Sequence, residues 1–308
     1  MKQVFIDGSA GTTGLRIYER LGSRSDIRLI TLSEELRKDP AARRAALNEA
    51  DIAFLCLPDA AAIEAVSMME NPATVVIDTS TAHRTNPAWE YGFPELTGRR
   101  ERIAASKRIA NPGCHASGYV ALIAPLVEKG LIEKGAPLSC FSLTGYSGGG
   151  KKMIAEYEDA LRPALLGAPR QYGLSQSHKH LPEMGMVAGT SAPLFCPIVG
   201  DFYAGMEVTV PLFAKDLAGT AEDIRKVYAE YYKTGLVHYT ESADEAGFLS
   251  ASAFAGRDDM EVSVHGNGDR ILLVCRFDNL GKGASGAAIQ NMNLVLGVDE
   301  ATGLNVEK

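Results

Sequence analysis

Cys114 is the residue whose type and position most clearly indicate chemistry. It follows Asn-Pro-Gly at 111–113 and precedes an apolar run with helical spacing, GYVALIAPLVEKG. Pro112 and Gly113 would end a strand, so the thiol is predicted to lie in the first turn of a helix. There the helix dipole and the N–H groups of the first turn favour a thiolate. The sequence therefore predicts a nucleophilic cysteine rather than a packed core thiol.

The other four cysteines have a different setting. Each lies inside an apolar run, where a buried and unreactive thiol is the usual finding; they are Cys56, Cys140, Cys196 and Cys275. An odd number of cysteines without CxxC spacing predicts free thiols rather than a disulfide framework or a zinc site.

A cysteine nucleophile needs a partner that takes up and returns a proton. The segment SQSHKHLPEM supplies His178 and His180, the only close pair among the six histidines, and Glu183, which could orient an imidazole. We expect one of the pair to act on the thiol and favour His180, with His178 as the alternative. A surface pair without a role is the competing interpretation. No third His or Cys lies at ligand spacing nearby, so no metal site is predicted.

The segment FIDGSAGTTGLRI at the start of the chain predicts a dinucleotide loop. A strand runs into glycines spaced GxxGxxG and then into a helix whose first N–H groups could meet a pyrophosphate. The alternative is a glycine turn without a ligand. The predicted cofactor-binding residues here are Gly8, Ser9, Gly11, Thr12, Thr13 and Gly14.

The second predicted strand, IRLITL, leads to Ser33, where an NAD enzyme usually has an acidic residue that binds the ribose hydroxyl groups. Ser33 with Arg37 and Lys38 close behind suits a 2′-phosphate and therefore NADPH, whereas Glu34 leaves NADH open. A polar loop without a role is the other interpretation.

A third motif, GYSGGGKKM, lies between a predicted strand and a predicted helix. Gly145, Gly150 and Lys151 match GxxxxGK, but Lys152 stands where a P-loop needs Ser or Thr to hold magnesium. The segment could still bind a phosphate or carboxylate of a substrate through its N–H groups and lysines.

The elements that must position these motifs divide into two patterns. Up to about residue 114, short apolar runs alternate with amphipathic ones, which predicts βαβ units and a Rossmann-like parallel sheet. From 115 to 279, longer strand-like runs, two of them joined by Gly-Asn-Gly-Asp, predict a mostly antiparallel α+β domain with helices on one face. We assign 1–114 plus 280–308 to an NADP-binding domain and 115–279 to a catalytic and oligomerisation domain.

Composition sets the class of protein. The chain has 308 residues, 46% hydrophobic and 22% charged, with a formal net charge of -7. An acidic chain without basic clusters interleaved with aromatics argues against nucleic acid or a membrane surface as partner. We therefore expect a small-molecule partner. No secretion signal or long apolar run is apparent, which predicts a cytoplasmic location, and the long apolar strands predict a homo-oligomer, dimer or tetramer.

Four motifs together resemble one enzyme family. NPGC, TGYSGGGKKM, SHKHLPEM and DNLGKGASGAAIQNMN occur in the order found in N-acetyl-γ-glutamyl-phosphate reductases, and IDGSAGTTGL and DTSTAHR resemble the shorter form of that family. The resemblance covers essentially the whole chain. It implies a semialdehyde-dehydrogenase-like fold and the NADPH-dependent reduction of an acyl phosphate, in arginine biosynthesis, through a cysteine thioester.

The resemblance also implies roles for residues outside the motifs already discussed. Cys114 would form the thioester, and His180 or His178 would move the proton. Near the cofactor or the mouth of the site it places Asn279, Gly281, Ser80 and Arg84; as substrate-side groups it suggests Ser147, Lys151 and Glu183, with Arg84 also assigned to the substrate. His115 and Ser117 depart from the aromatic and Thr that often follow the cysteine.

Three other functions remain open from the sequence. A related enzyme of the aspartate-semialdehyde dehydrogenase type would use the same chemistry on another acyl phosphate. A P-loop-like phosphotransferase would use residues 145 to 151. A dinucleotide-sensing regulator would keep the fold but have no reactive thiol.

Overall fold

The structure is a computed structural model that describes residues 1–306. Residues 307 and 308, the end of the predicted range 280–308, lie outside the described residues. In the part described, no helix is both long and apolar enough to cross a membrane.

The described residues form thirteen strands and nine α-helices. The strands are β1 (Lys2–Asp7), β2 (Ile27–Ile30), β3 (Ile52–Leu55), β4 (Val75–Asp78), β5 (Glu90–Tyr91), β6 (Arg108–Ala110), β7 (Ser139–Gly145), β8 (Arg170–Gln171), β9 (Leu194–Gly200), β10 (Met206–Phe213), β11 (Val237–Tyr239), β12 (Met260–Gly266) and β13 (Arg270–Phe277). The α-helices are α1 (Thr12–Leu21), α2 (Pro40–Glu49), α3 (Asp59–Ser67), α4 (Arg99–Ala105), α5 (Cys114–Glu128), α6 (Gly150–Glu158), α7 (Leu181–Ala188), α8 (Ala221–Tyr231) and α9 (Gly286–Leu296).

The chain forms two compact units. The first comprises Met1–Pro112 and Ala284–Leu304, and the second comprises Gly113–Gly283 and residues 305–306. The first unit therefore includes α9, which packs against α4 and β4. The predicted roles of the two domains stay predictions.

The first unit contains a six-stranded parallel sheet in the order β2-β1-β3-β4-β6-β5. Its central strands β3 and β4 are almost entirely buried, because βαβ crossovers cover both faces of a parallel sheet. Phe54 and Ile77 belong to the core on one face, together with Ile289 and Met292 of α9. The predicted Rossmann-like parallel sheet is confirmed.

The second strand is shorter than its apolar pattern indicates. We predicted that the strand IRLITL would run up to Ser33, but β2 ends at Ile30. The Ser33 carbonyl accepts hydrogen bonds from the N–H groups of Leu36 and Arg37. These bonds form a turn, so the backbone groups of Ser33 cannot also extend the strand.

The second unit contains a seven-stranded sheet in the order β11-β12-β13-β10-β7-β9-β8. Four of its six strand pairs are antiparallel, and the β7–β9 and β11–β12 pairs are parallel. The predicted Gly-Asn-Gly-Asp hairpin joins β12 to β13, with Gly266 paired to Ile271. The prediction of a mostly antiparallel second sheet is confirmed.

Helix α5 is the central helix of the second unit. It is buried on nearly all sides and packs against β10, β13, α7 and α8. Its closest approach to the sheet is at Gly118, where a Cβ atom would lie 2.5 Å from the Val208 side chain. This packing fixes the helix that begins at Cys114 on the second sheet.

Candidate active site

Cys114 is the first residue of α5, as the sequence predicts. Gly113 is the N-cap, and no side chain caps this helix end. The first N–H groups of a helix have no partner within the helix, and the helix dipole is positive at this end. The N-terminus of α5 therefore stabilises a negative charge on the Cys114 thiol. Cys114 is half-buried, so part of its surface remains open to solvent.

A buried carboxylate holds the turn that precedes the thiol. Glu183 of α7 is 1% exposed, and its Oε2 accepts the Gly113 N–H at 3.1 Å. The sequence suggested that Glu183 orients an imidazole or binds substrate. The structure shows it bound to the backbone next to Cys114, so its observed contact holds the turn before Cys114.

Gly283 packs behind Cys114. A Cβ atom at Gly283 would lie 3.0 Å from the Cβ of Cys114 and 3.1 Å from the Asp278 carbonyl oxygen. Contacts this close leave no room for a side chain. Glycine at this position therefore lets the chain pass directly behind Cys114.

Three histidine rings form a cluster, and one of them, His115, follows Cys114 in the sequence. His115, the residue that follows the thiol, has its ring centroid 5.5 Å from that of His178 and 5.6 Å from that of His180. His178 and His180 lie 4.8 Å apart, edge to face. The structure thus brings both predicted histidines together and adds a third, His115, for which the sequence predicted no role.

The two predicted histidines differ in what their nitrogen atoms can do. His178 Nδ1 lies 3.1 Å from the backbone N–H of His180 and accepts its hydrogen bond. A neutral His178 must therefore carry its proton on Nε2. Burial, and secondarily the charge of Lys179, lowers the pKa of His178, which favours this neutral form.

His115 is held through both of its ring nitrogens. Its Nδ1 lies 2.7 Å from the Ser142 hydroxyl and its Nε2 lies 2.7 Å from the Tyr172 hydroxyl. Burial lowers its pKa to about 3, with a smaller contribution from His178. His115 is therefore a neutral ring in a fixed position, a different role from that of a proton acceptor.

Asn279 and Ser147, for which a cofactor role and a substrate role were predicted, contact each other. The Asn279 side-chain N–H donates to the Ser147 hydroxyl at 3.0 Å, and its side-chain oxygen accepts the Gly205 N–H at 2.9 Å. At Gly281, a Cβ atom would lie 1.9 Å from the Arg257 carbonyl oxygen. The Asn279 side chain thus joins the residues that follow β13 to those that follow β7 and to the residue directly before β10.

The segment 145–151 does not form a phosphate-binding P-loop. Tyr146–Gly149 is a turn of 3₁₀-helix, and the backbone N–H groups of Tyr146 and Ser147 donate to the carbonyls of Phe202 and Tyr203. N–H groups that are already bonded cannot cradle a phosphate. Lys151 is exposed at the start of α6. The phosphotransferase alternative therefore loses its structural basis.

In the first unit, the glycine loop borders a cleft of about 640 Å³. β1 ends at Asp7 and α1 begins at Thr12, so Gly8 and Gly11 form the turn between them, with Gly11 as the N-cap. The residues that line the cleft include Gly8, Ser9, Gly11, Thr31, Arg37, Lys38 and Arg43. The cleft thus combines a helix N-terminus with a basic rim.

Two of the glycines are required by close packing. Gly8 has φ +87°, and a Cβ atom there would lie 2.3 Å from the Cys56 carbonyl oxygen. A Cβ atom on Gly14 would lie 2.4 Å from the Gly8 carbonyl oxygen. Such tight turns bring backbone N–H groups close to a bound pyrophosphate. The observed cradle fits the dinucleotide predicted for it.

No carboxylate follows β2 directly; Thr31 and Leu32 line the cleft there. Glu34 is the residue that, from the sequence, could have bound the ribose of NADH. In the structure it instead pairs with Arg37 at 2.8 Å on the surface. Ser33 does not line the cleft, so its predicted cofactor contact has no support in this geometry. Arg37 and Lys38 do line it, which favours a 2′-phosphate over a ribose hydroxyl.

Sequence reasoning missed a buried ion pair in this cleft. Arg43 of α2 donates to the Asp7 carboxylate from Nε and Nη2, the latter at 2.9 Å, and both residues are buried. Burial raises the pKa of Asp7, while the hydrogen bond and charge of Arg43 oppose that rise. The pair holds the end of β1 against α2. In the sequence, the only sign of this pair was the acidic Asp7 directly before the first glycine of the loop.

Ser80 and Arg84 are held in a network within the first unit. The Asp78 carboxylate accepts bonds from the Ser80 hydroxyl at 2.8 Å and lies 2.6 Å from His83 Nδ1. Arg84 donates to the carbonyls of Asn111 and Thr79. Their observed contacts are with the protein itself, so their predicted ligand contacts stay predictions.

The remaining thiols differ in burial. Cys140 and Cys275 are buried, while Cys56 and Cys196 are only half-buried, in contrast to the burial expected for all four. Burial raises the pKa of Cys56 to about 12 and raises that of Cys140 as well. These two thiols are therefore poor nucleophiles at neutral pH.

Comparison with known proteins identifies matching family models in both parts of the chain. Residues 3–106 match the NAD binding domain of semialdehyde dehydrogenase. Residues 114–279 match the semialdehyde dehydrogenase dimerisation domain.

Curated relatives match the chain over almost its whole length. An N-acetyl-γ-glutamyl-phosphate reductase of Burkholderia cenocepacia is 47% identical, covering 97% of this chain and 98% of the relative. One from Pseudomonas putida is 46% identical, covering 97% of this chain and 98% of the relative. One from Nostoc is 43% identical, with 98% and 99% covered.

Solved structures share the fold at low sequence identity. Aspartate semialdehyde dehydrogenase II of Vibrio cholerae, complexed with ASA, superposes with a TM-score of 0.71 at 16% identity, covering 96% of this chain and 98% of that one. The Candida albicans enzyme, solved with NADP, gives 0.64 at 14% identity with the same coverage.

Proposed function

Since the chain belongs to the semialdehyde dehydrogenase family, and within it to the N-acetyl-γ-glutamyl-phosphate reductases, we propose that it reduces N-acetyl-γ-glutamyl phosphate with NADPH. The products are N-acetylglutamate 5-semialdehyde and phosphate, in a reductive step of arginine biosynthesis. The observation that carries the proposal is Cys114 at the first residue of α5, followed in the chain by His115, whose ring packs against those of His178 and His180.

The first half of the proposed reaction forms a thioester. The Cys114 thiolate attacks the acyl carbon, a C–S bond forms, and the bond between carbon and the phosphate oxygen breaks with its electron pair leaving on phosphate. The uncapped N-terminus of α5 favours the thiolate and the negative charge that develops on the acyl oxygen. Glu183 and Gly283 keep the thiol in place for this attack.

The second half reduces the thioester. When bound, NADPH supplies a hydride to the thioester carbon. A protein group must then protonate the carbonyl oxygen to give a thiohemiacetal, and take the proton back as the C–S bond breaks and the aldehyde leaves. We assign this shuttle to His180, because His178 Nδ1 is already bonded to the His180 backbone N–H.

The convenient test is the reverse reaction. The purified protein is mixed with N-acetylglutamate 5-semialdehyde, NADP and inorganic phosphate, and the appearance of NADPH absorbance is followed. We expect phosphate-dependent NADPH formation, and less with aspartate semialdehyde as the alternative substrate. NADPH formation only with aspartate semialdehyde would assign the chain to the related activity instead.

Arg37 and Lys38 provide the proposed preference for NADPH. We predict that the double variant Arg37→Ala/Lys38→Ala raises the KM for NADPH roughly 10- to 100-fold, because charge-assisted hydrogen bonds to the 2′-phosphate are lost. The KM for NADH should change little. Steady-state kinetics with both cofactors measure this, and Arg44→Ala is the matched control, because Arg44 pairs with Glu70 on the exposed surface. Equal losses with NADPH and NADH would contradict the assignment.

The second sheet has an apolar face that suits a second copy of this chain. Residues that share this face by strand register include Phe141, Leu194, Phe213 and Leu272, which are 44%, 59%, 55% and 42% exposed. Apolar patches of this kind commonly mark subunit interfaces, and the matching family model is described as a dimerisation domain. We propose that this face forms a homodimer contact.

The dimer proposal predicts a specific loss of association. Phe141→Glu should weaken the dimer at least about tenfold, because a buried carboxylate in an apolar interface costs several kcal/mol. Sedimentation velocity over a range of concentrations measures the change. Leu161→Glu is the control, since Leu161 is 92% exposed and outside the sheet. A wild-type protein that sediments as a monomer at all concentrations would refute the contact.

The predicted cytoplasmic location belongs to the same proposal. A catalytic thiolate needs a reducing compartment. The proposed NADPH requirement agrees with that setting.

A further inference from the structure

The buried Asp7–Arg43 pair places a carboxylate in the wall of the dinucleotide cleft. Asp7 is the last residue of β1 and directly precedes Gly8 of the glycine loop. Its side chain lies on the same face of the sheet as that of Phe5, which shares a hydrophobic core with Leu47 of α2. On this face the Asp7 Oδ2 atom lies 3.1 Å from Arg43 Nε and 2.9 Å from Arg43 Nη2.

A carboxylate in this position opposes the binding of an anionic ligand. Among the described residues that line the cleft, Asp7 alone carries a carboxylate. Every nicotinamide dinucleotide brings a negatively charged pyrophosphate, and NADPH adds a 2′-phosphate. Like charges repel more strongly where the protein excludes water, because the effective dielectric constant is lower there. The cleft can therefore accept a dinucleotide only if the charge of Asp7 is compensated.

Arg43 is arranged to provide that compensation. Asp7 is 3% exposed and Arg43 is 8% exposed, so water contributes little to the neutralisation of either charge. Two guanidinium nitrogens face the Asp7 carboxylate, whereas Glu64 of α3 lies 3.4 Å from the third and is 55% exposed. The guanidinium is therefore engaged mainly by Asp7, and the pair adds no net charge to the cleft.

We propose that Arg43 is a positioning residue that acts through Asp7: it fixes the Asp7 carboxylate and cancels its charge, so that the cleft accepts an anionic dinucleotide. This inference rests on the proposed use of NADPH and is independent of the acyl substrate. The titratable groups that face Asp7 are Arg43, Glu64 and the Cys56 thiol. Burial raises the pKa of Cys56 to about 12, so this thiol is neutral and leaves Arg43 as the compensating charge.

The decisive measurement is cofactor affinity, which requires no turnover. The Kd values of NADPH and NADH are measured by fluorescence titration at mildly alkaline pH. We expect Arg43→Met to raise both Kd values roughly 10- to 100-fold, because the charge of Asp7 is then uncompensated. Both cofactors should be affected, since both carry the pyrophosphate. Unchanged Kd values would overturn the proposal, and so would a loss confined to NADPH, which would assign Arg43 to the 2′-phosphate.

A double variant separates charge compensation from simple bracing of α2. Asp7→Asn/Arg43→Met removes the carboxylate together with its partner, so both Kd values should return to within about threefold of wild type. If Arg43 only braces the helix, the double variant binds as weakly as Arg43→Met, and the proposal fails. Arg43→Lys keeps the positive charge and should bind both dinucleotides nearly as well as the wild type.

The pH dependence gives a second, independent readout. Burial raises the pKa of Asp7, and the hydrogen bond and charge of Arg43 oppose that rise. In Arg43→Met this opposition is gone, so Asp7 takes up a proton as the pH falls and its repulsive charge disappears. The ratio of the variant's Kd to the wild-type Kd should therefore fall between about pH 8.5 and about pH 6. A ratio that does not change with pH would contradict the proposed mechanism.

The next residue of the same helix provides the matched control. Arg44 pairs with Glu70 on the exposed surface, so Arg44→Met removes an arginine from α2 without uncovering a buried carboxylate. Its Kd values should equal those of the wild type at each pH; a loss as large as that of Arg43→Met would refute a specific role. If Arg43→Met does not fold, Arg43→Gln replaces it in each comparison, because glutamine removes the charge but keeps a hydrogen-bond donor for Asp7.

The outcomes also separate this inference from the proposed function. A wild-type protein that binds neither dinucleotide would refute both. A wild-type protein that binds NADPH and reduces the acyl phosphate, with unchanged Kd values in Arg43→Met, would refute only the role of Arg43.

Discussion

Cys114→Ala should abolish the phosphate-dependent oxidation of N-acetylglutamate 5-semialdehyde, with a loss of at least about 10³-fold in kcat. The proposed thioester forms on the Cys114 sulfur, so removal of this sulfur removes the covalent route and leaves only binding. NADPH binding should persist, because the glycine loop and basic rim belong to the first unit. Turnover measured by absorbance and cofactor affinity measured by fluorescence titration test both parts.

A second cysteine provides the control for this variant. Cys140→Ala removes a fully buried thiol from β7 and should lower thermal stability while leaving kcat per folded enzyme unchanged. Turnover retained in Cys114→Ala would exclude the thioester mechanism. Loss of both turnover and NADPH binding would instead indicate that the variant is misfolded, which circular dichroism can distinguish.

His180→Asn should lower kcat by roughly 10²- to 10⁴-fold, the usual contribution of a positioned acid/base group. We expect His180 rather than His178 to carry the proton because of the hydrogen bond that the His178 ring already makes. His178 Nδ1 accepts the His180 N–H and is therefore engaged when His178 is neutral, which leaves His180 as the better shuttle. Rate measurements at saturating substrate, in both reaction directions, check the prediction.

The matched variant is His178→Asn. The Asn side-chain oxygen can take the place of Nδ1 and keep the hydrogen bond from the His180 backbone, so the turn should persist. We expect a loss of about tenfold or less, from the missing Nε2–H donor. A larger effect of His178→Asn than of His180→Asn would reverse the assignment of the two histidines.

Much of the fold followed from local patterns. The alternation of short apolar runs and amphipathic segments predicted the parallel sheet, and Gly-Asn-Gly-Asp predicted the β12–β13 hairpin. The predicted end of β2 was wrong, because apolar periodicity does not show that the Ser33 carbonyl accepts hydrogen bonds that form a turn. The site was predictable where its signal is local: Pro112 and Gly113 before an apolar helix indicate Cys114.

The remaining parts of the site had no signal along the chain. Tyr172 and Ser142 contact His115 from elements 57 and 27 residues away, and Glu183 contacts Gly113 across 70 residues. Arg43 reaches Asp7 from a different helix. Such pairings depend on how helices and strands pack, which periodicity and turn residues do not specify.

The sequence by itself determined the place of Cys114 at a helix start, the glycine loop and the two classes of sheet, because each depends on the conformational preferences of adjacent residues. Only the tertiary structure decided the environment of these groups: that His115 is a buried neutral ring, that His178 has an engaged Nδ1, and that residues 145–147 have no N–H groups left for a phosphate. The reason is physical. Burial and hydrogen-bond partners set protonation and donor capacity, and both come from residues far apart in the chain.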